Sequence, residues 1–292
     1  MKIDIGYRFL TGTFFKSWYS GLLMVVAVPF FMTVTSNAMA LSPSRLLGMP
    51  EPVTPVSKEV LAVHDFLMWI MAAIVIFVFM LLMYVIVRYN RKSNPKAANF
   101  SHNVPLEIAW TIAPVLILVI LGFKSVPLIF TQEKQNQIEP DLIVKITGNQ
   151  WFWSYEYPDH GISFDSFMLS EREILERGMD KKLWKKAVDR PMVVPEGANV
   201  IIQVTASDVI HSWSVPAFGV KIDGIPGRLN QSWLQVDRTG DFYGHCYELC
   251  GVGHSYMPVG VRVVTQEQFE SWLVDNGASL VDNSAASTLP SS

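Results

Sequence analysis

The apolar positions of this chain fall into two regimes, long unbroken stretches up to residue 130 and short alternating runs beyond it. Residues 66–87 are 22 positions without a charge, about 33 Å of α-helix at ~1.5 Å per residue and enough to cross a bilayer core. Residues 108–130 form a second such stretch, interrupted only by Lys124, whose ammonium lies near enough to one end to reach the headgroups. An earlier apolar stretch follows Lys16, runs through residues 21–34 and ends at Ala38-Met39-Ala40, a small-x-small pattern that predicts a signal peptide over residues 1–40. Pro29 and the polar residues 33–37 argue against reading it as a third crossing.

From residue 131 the runs become LIVKIT, WFWSYEY, NVIIQVT, SWLQV and GVRVV, β-branched and aromatic segments bounded by Pro, Gly and Asp. They predict an all-β sandwich or barrel over residues 131–276, with a short terminal helix over 267–274 and a disordered Ala/Ser-rich tail over 277–292. The insert at residues 170–190 is highly charged and shows no obvious apolar face, so it is read as a solvated surface excursion.

With 292 residues, half of them hydrophobic, the chain has room for one membrane module, residues 41–130, and one globular domain. Arg88, Arg91, Lys92 and Lys96 lie between the two apolar stretches with no acid before Glu107. The positive-inside rule puts that short loop in the cytoplasm and both mature termini outside. Residues 131–292 hold 13 Lys and Arg against 21 Asp and Glu, a net charge of −8, whereas residues 1–130 carry +5. An acidic outer domain attracts a basic soluble partner, although acidity also serves ordinary solubility. No nucleic-acid partner is expected.

The chemistry concentrates in CYELCGVGHSYM, where Cys246, Cys250, His254 and Met257 place two thiols, an imidazole and a thioether within twelve residues. Such donors suit a soft metal, and a Cys and His set with a weak Met favours copper electron transfer. Zinc, or a disulfide closing a very small loop, are the alternatives. A second imidazole is expected from His211 in DVIHSWSVP, while Gly251 and Gly253 allow the loop to turn back on itself. His245 is left out, because neighbours on a strand point to opposite faces. Alternation likewise puts Trp151, Trp153, Tyr155 and Tyr157 on one packed face.

At this point the chain strongly resembles subunit II of haem-copper cytochrome c oxidases. Two membrane stretches, GNQWFWSYEYP, DVIHSWSVP, KIDGIPGRLNQ and YGHCYELCGVGHSYMPVGV occur in that family's order. The resemblance implies a two-helix membrane hairpin followed by a cupredoxin-like Greek-key sandwich carrying a binuclear CuA centre. Cys246 and Cys250 would bridge two coppers, His211 and His254 would each bind one, and Met257 and the backbone carbonyl of Glu248 would complete the set. The Glu248 side chain would touch a magnesium or manganese shared with subunit I, and Arg228, in the 221–229 stretch, would face the haem subunit. Trp151 would be the point of electron entry, although Asn149 and Phe152 stand where the family usually has His and Tyr. Glu156, Asp165, Asp189 and Asp208 match the family's docking surface for cytochrome c, with Lys181, Lys182, Lys185 and Lys186 in the neighbouring insert.

Glu107 is either a helix N-terminus residue or, by the resemblance, the cytoplasmic mouth of a proton-uptake route through subunit I. The expected setting is the bacterial inner membrane with the metal domain in the periplasm, beside subunits I and III and lipid. Haem would reside in subunit I, where oxygen is reduced and protons are pumped. A quinol oxidase subunit and a membrane-anchored copper chaperone are the rival readings. The first lacks the copper ligands, and the second has a thioredoxin-like βαβ pattern that is absent here.

Overall fold

The computed structural model describes residues 49–278, apart from residues 97, 134–136 and 138. The expected signal peptide and most of the expected tail lie outside the described residues. Pro52 onward forms one unit, separate from Met1–Glu51, and the description below concerns it alone.

Helix α1, Pro55–Arg88, starts where Thr54 caps it. The Thr54 side chain accepts from Ser57 N–H, Ser57 reciprocates to the Thr54 backbone, and Pro55 takes the first turn, where its missing N–H costs nothing. Helix α2, Val104–Gln132, is capped by Asn103 and contains Pro114 and Pro127. At 34 and 29 residues, the helices are about 51 and 44 Å long. Both are long and apolar enough to cross a membrane, and their large side chains are exposed, Trp69 and Phe123 to 78% each. Without lipid or partner helices, a surface of that kind would drive association.

Helix α1 begins eleven residues before the uncharged stretch does. Its first turns pack on protein, with Val56 buried against Ile201 and Trp233. Thr54 Oγ1 donates to Phe218 O at 2.7 Å, and Trp233 Nε1 donates to Thr131 O at the end of α2 at 3.2 Å. Both helices are therefore tied to the domain that follows them.

That domain has two five-stranded sheets. One is ordered β3 (Ile162–Ser166), β2 (Phe152–Tyr157), β1 (Leu142–Asn149), β5 (Val200–Ala206) and β8 (Asn230–Leu234); the other is ordered β4 (Met192–Pro195), β10 (Pro258–Val264), β9 (Gly240–Cys246), β6 (His211–Val215) and β7 (Val220–Gly224). Pairing is antiparallel except for β1 with β5 and β10 with β4. Strict alternation along β1 points Leu142, Val144 and Ile146 into the space between the sheets. There they join one core with Trp153, Tyr155, Trp213 and Val259. A terminal helix, Gln266–Asp275, buries Phe269 and Leu273 on the same core. The expected helical hairpin followed by an all-β sandwich is the architecture found.

The insert departs from expectation. It folds into helix α3, Glu171–Glu176, with a Ser170–Glu173 capping box, and buries Leu169, Ile174 and Ala187 with Met179, Leu183 and Tyr243 packed against them. Its apolar face went unseen because the three buried residues are spread over nineteen positions and face Tyr243 of β9, a contact that no local period encodes.

Candidate metal centre

The ends of the three central strands of the second sheet meet at one end of that sheet. Strand β6 begins at His211, β9 ends at Cys246 and β10 begins just after Met257, with Trp213 paired to Cys246 and Pro258 to His245. Strands β6 and β9 approach closely because Gly244 has no side chain. A Cβ there would lie 1.8 Å from Ser214 O.

The donor atoms form a connected set. Cys246 Sγ is 3.9 Å from Cys250 Sγ, 3.9 Å from His211 Nδ1 and 3.3 Å from Glu248 O. Cys250 Sγ lies 3.5 Å from both His254 Nδ1 and Met257 Sδ. Both cysteines are free thiols. His211, Cys246, Cys250 and Met257 are buried and His254 is half-buried, so the cluster is dry on its inner side. Metal–thiolate bonds of about 2.3 Å exceed half the separation of the sulfurs, so an ion on either side of the S···S line can touch both. The donors present therefore fit soft metal, and a pair of ions as readily as one.

Electrostatics separates the two thiols. Burial opposes ionisation of Cys246, but hydrogen bonding from His211, the Ser212 and Glu248 backbone and His254 outweighs it and brings the thiol down to about 7. Burial and the adjacent Cys246 charge push Cys250 up to about 12. His211 is raised: burial works against its charge, and the Cys246 sulfur and the Asp208 carboxylate more than compensate.

Trp151 lies against the loop. Its Nε1 donates to Cys250 O at 3.1 Å, and Gln150 Nε2 donates to the same carbonyl at 2.8 Å. Gly251 has φ +115° and so needs a glycine to turn. Gly253, expected to be needed for the turn as well, has an ordinary φ of −90°; it is small because a Cβ would lie 2.2 Å from Trp151 Cδ2. Trp153, Tyr155 and Tyr157 are fully buried, while Trp151, outside the strand, is half-buried against the core.

The other singled-out residues are placed as follows. Asp208 Oδ1 is 2.8 Å from His211 Nε2, and Oδ2 accepts from Gln150 N–H at 2.7 Å. Glu156 pairs with Lys145 at 2.9 Å, Asp165 accepts from Ser154 Oγ at 2.6 Å, and Asp189 accepts from Phe167 N–H at 2.7 Å. The Glu248 side chain and Arg228 are exposed, and neither Arg228 nor Glu107 is among the residues gathered at the cluster. Glu107 lies in the first turn of α2 and accepts from Asn103 N–H at 3.1 Å. Sequence reasoning missed Gln150, whose amide function depends on a carbonyl a hundred residues away.

A family model described as cytochrome c oxidase subunit II, periplasmic domain, matches residues 142–264, and one described as its transmembrane domain matches residues 42–128. The chain belongs to the cytochrome c oxidase subunit II family. It is 43% identical over 264 residues to cytochrome c oxidase subunit 2 of Cereibacter sphaeroides, covering 83% of this chain and 86% of that one. It is 35% identical over 256 residues to the Arabidopsis thaliana subunit, covering 86% and 96%. A crystal structure of the periplasmic domain of subunit II (CoxB) of Bradyrhizobium japonicum is 46% identical, with a TM-score of 0.43, covering 48% of this chain and 95% of that one. Family membership makes this a membrane-bound subunit of a cytochrome c oxidase, consistent with its two membrane-length helices and its His/Cys/Cys cluster.

Proposed function

We propose that this chain is the electron-entry subunit of its oxidase and that the strand-end cluster holds a binuclear CuA centre. Cys246 and Cys250 would supply thiolates to both coppers, His211 and His254 would each hold one, Met257 would be a weak ligand, and the Glu248 carbonyl would complete the set. The observation that carries this reading is the direct contact of these donors, sulfur to sulfur at 3.9 Å, with both histidine Nδ1 atoms turned inward. Copper bound there supplies one-electron redox chemistry.

The chain's own residues shape that chemistry. Burial of His211, Cys246, Cys250 and Met257 keeps water away and holds the donors still, which limits rearrangement when charge changes. Half-buried Trp151 would meet cytochrome c, and its Nε1–H bond to Cys250 O would give a short through-bond path to a ligand. Exposed Glu156, Asp165 and Asp208, with Asp189, supply negative charge for a basic donor, although Lys145 offsets Glu156 in part. The Glu248 side chain would hold magnesium or manganese at subunit I, Arg228 would face the haem subunit, and Glu107 would open its proton route from the cytoplasm. The sandwich would stand in the periplasm, next to subunits I and III, with oxygen reduction and proton pumping in the larger complex.

The test is purification from membranes with partner subunits retained, followed by copper analysis and spin resonance. Two coppers sharing one unpaired electron are expected, with reduction by cytochrome c. A single localised copper would favour the chaperone reading and sink this one.

A further inference from the structure

The metal loop is gripped from outside by the 170–187 insert. At its base, Met168 bridges Val188, Leu169 N–H donates to Ala187 O at 3.0 Å, and Tyr243 of β9 packs on the insert's small core. Val188 also occupies the space over Gly260 of β10, where a Cβ would meet its Cγ2 at 2.5 Å. At its tip, Lys185 Nζ lies 5.0 Å from the ring centre of Trp184 and 4.6 Å from that of Tyr256. Tyr256 closes the 3-10 turn His254–Tyr256, which has His254 at one end and Met257 just beyond the other.

Lys185 is also the single non-glycine residue among the described residues with positive φ, at 65°. A long L side chain takes that conformation only where its surroundings hold it there. A simple surface turn would use glycine, as this insert does at Gly178, where φ is 68°. The turn is closed by Lys186 N–H and Ala187 N–H, which both donate to Leu183 O at 2.9 Å, and it aims the Lys185 ammonium at the two rings, whose quadrupoles attract it. We propose that the insert is a clamp on the metal loop, with Lys185 as the positioning residue that fixes Tyr256 and, through it, the spacing of His254 and Met257. The inference rests on the copper reading of those two residues.

The experiment uses the oxidase purified with its partners and measures copper content, spin-resonance spectrum and the rate of copper loss to a chelator. Lys185→Asn keeps a residue that tolerates positive φ but removes the cation. It should bind the same copper at saturation and release it about two- to fivefold faster, the factor expected of a cation–ring contact on exposed rings. Lys185→Arg should restore the slow rate. Tyr256→Leu should match Lys185→Asn, and combining the two should add nothing further, because both remove one contact; Tyr256→Leu also stands in if Lys185→Asn does not assemble. Unchanged release in Lys185→Asn, or additive effects, removes the clamp while leaving the copper centre intact. An unmutated oxidase without copper overturns both readings together.

Discussion

Asp208 holds the outer nitrogen of His211: its Oδ1 is 2.8 Å from Nε2, while Nδ1 on the opposite side of the ring faces Cys246. The same carboxylate accepts the Gln150 backbone N–H. One side chain therefore aligns both a candidate ligand and the segment that carries Trp151. Carboxylates in this position typically fix the tautomer of a metal-bound histidine, and their loss costs about 10- to 100-fold in affinity. Asp208→Ala is expected to weaken copper binding within that range, and Asp208→Asn to weaken it less. Chelator competition checks this, and an unchanged affinity would return Asp208 to a purely docking role.

Trp151 and Gly253 form a second matched pair. If the Nε1–H bond to Cys250 O carries the electron inward, Trp151→Phe should slow reduction by cytochrome c at least tenfold with copper content unchanged. Gly253→Ala should do the same without altering Trp151, because the new Cβ would sit 2.2 Å from the indole and push it off the loop. Stopped-flow reduction of the purified oxidase measures both rates. A normal rate in Gly253→Ala would show that the ring position is not what matters.

Most of the candidate donor set was legible because CYELCGVGHSYM is contiguous and its residue types are chemically narrow, whereas His211 stands 35 residues before Cys246. The helices were readable from uninterrupted apolar runs, yet α1 starts eleven residues earlier than the run, since Val56 and Leu61 face protein and not lipid. What stayed hidden depends on long-range contact. The Asp208 inward bond, the Gln150 amide and the grip of Lys185 on Tyr256 join residues whose partners only the folded sandwich brings near. A charge-rich insert also hides its three buried residues from any test of local periodicity.

The junction between α1 and the sandwich should be sensitive to single atoms. Gly219 has φ +68°, and a Cβ on it would meet Ser57 Cα at 2.9 Å. Gly219→Ala therefore strains the turn and displaces the capping box of α1 at once. Thr54→Ala removes the cap and the bond to Phe218 O. Each is expected to cost about 1–2 kcal/mol. Thermal unfolding in detergent, with limited proteolysis near residue 54, tests this, and full resistance in Gly219→Ala would mean the helix is not seated on that turn.

The two thiols of the metal-free protein should titrate apart. Cys246 is lowered from 9.0 to about 7 because hydrogen bonds from the His211 side, the backbone and His254 outweigh the burial that opposes its charge. Cys250 is raised to about 12 by burial and by the Cys246 charge. An acid whose pKa falls on folding adds stability that is complete above its unfolded value and disappears as pH drops through the folded one. Cys246 thus stabilises the metal-free fold increasingly from pH 7 to 9. Cys250 has the opposite sign: above pH 9 the unfolded chain ionises it and the folded chain does not, so stability declines as pH approaches 12. The expected result is a stability maximum near pH 9 that flattens in Cys246→Ser, accompanied by thiolate absorbance that rises by one equivalent around neutrality. Two thiols ionising together near their ordinary value would mean that the hydrogen bonds to Cys246 do not prepare it for metal.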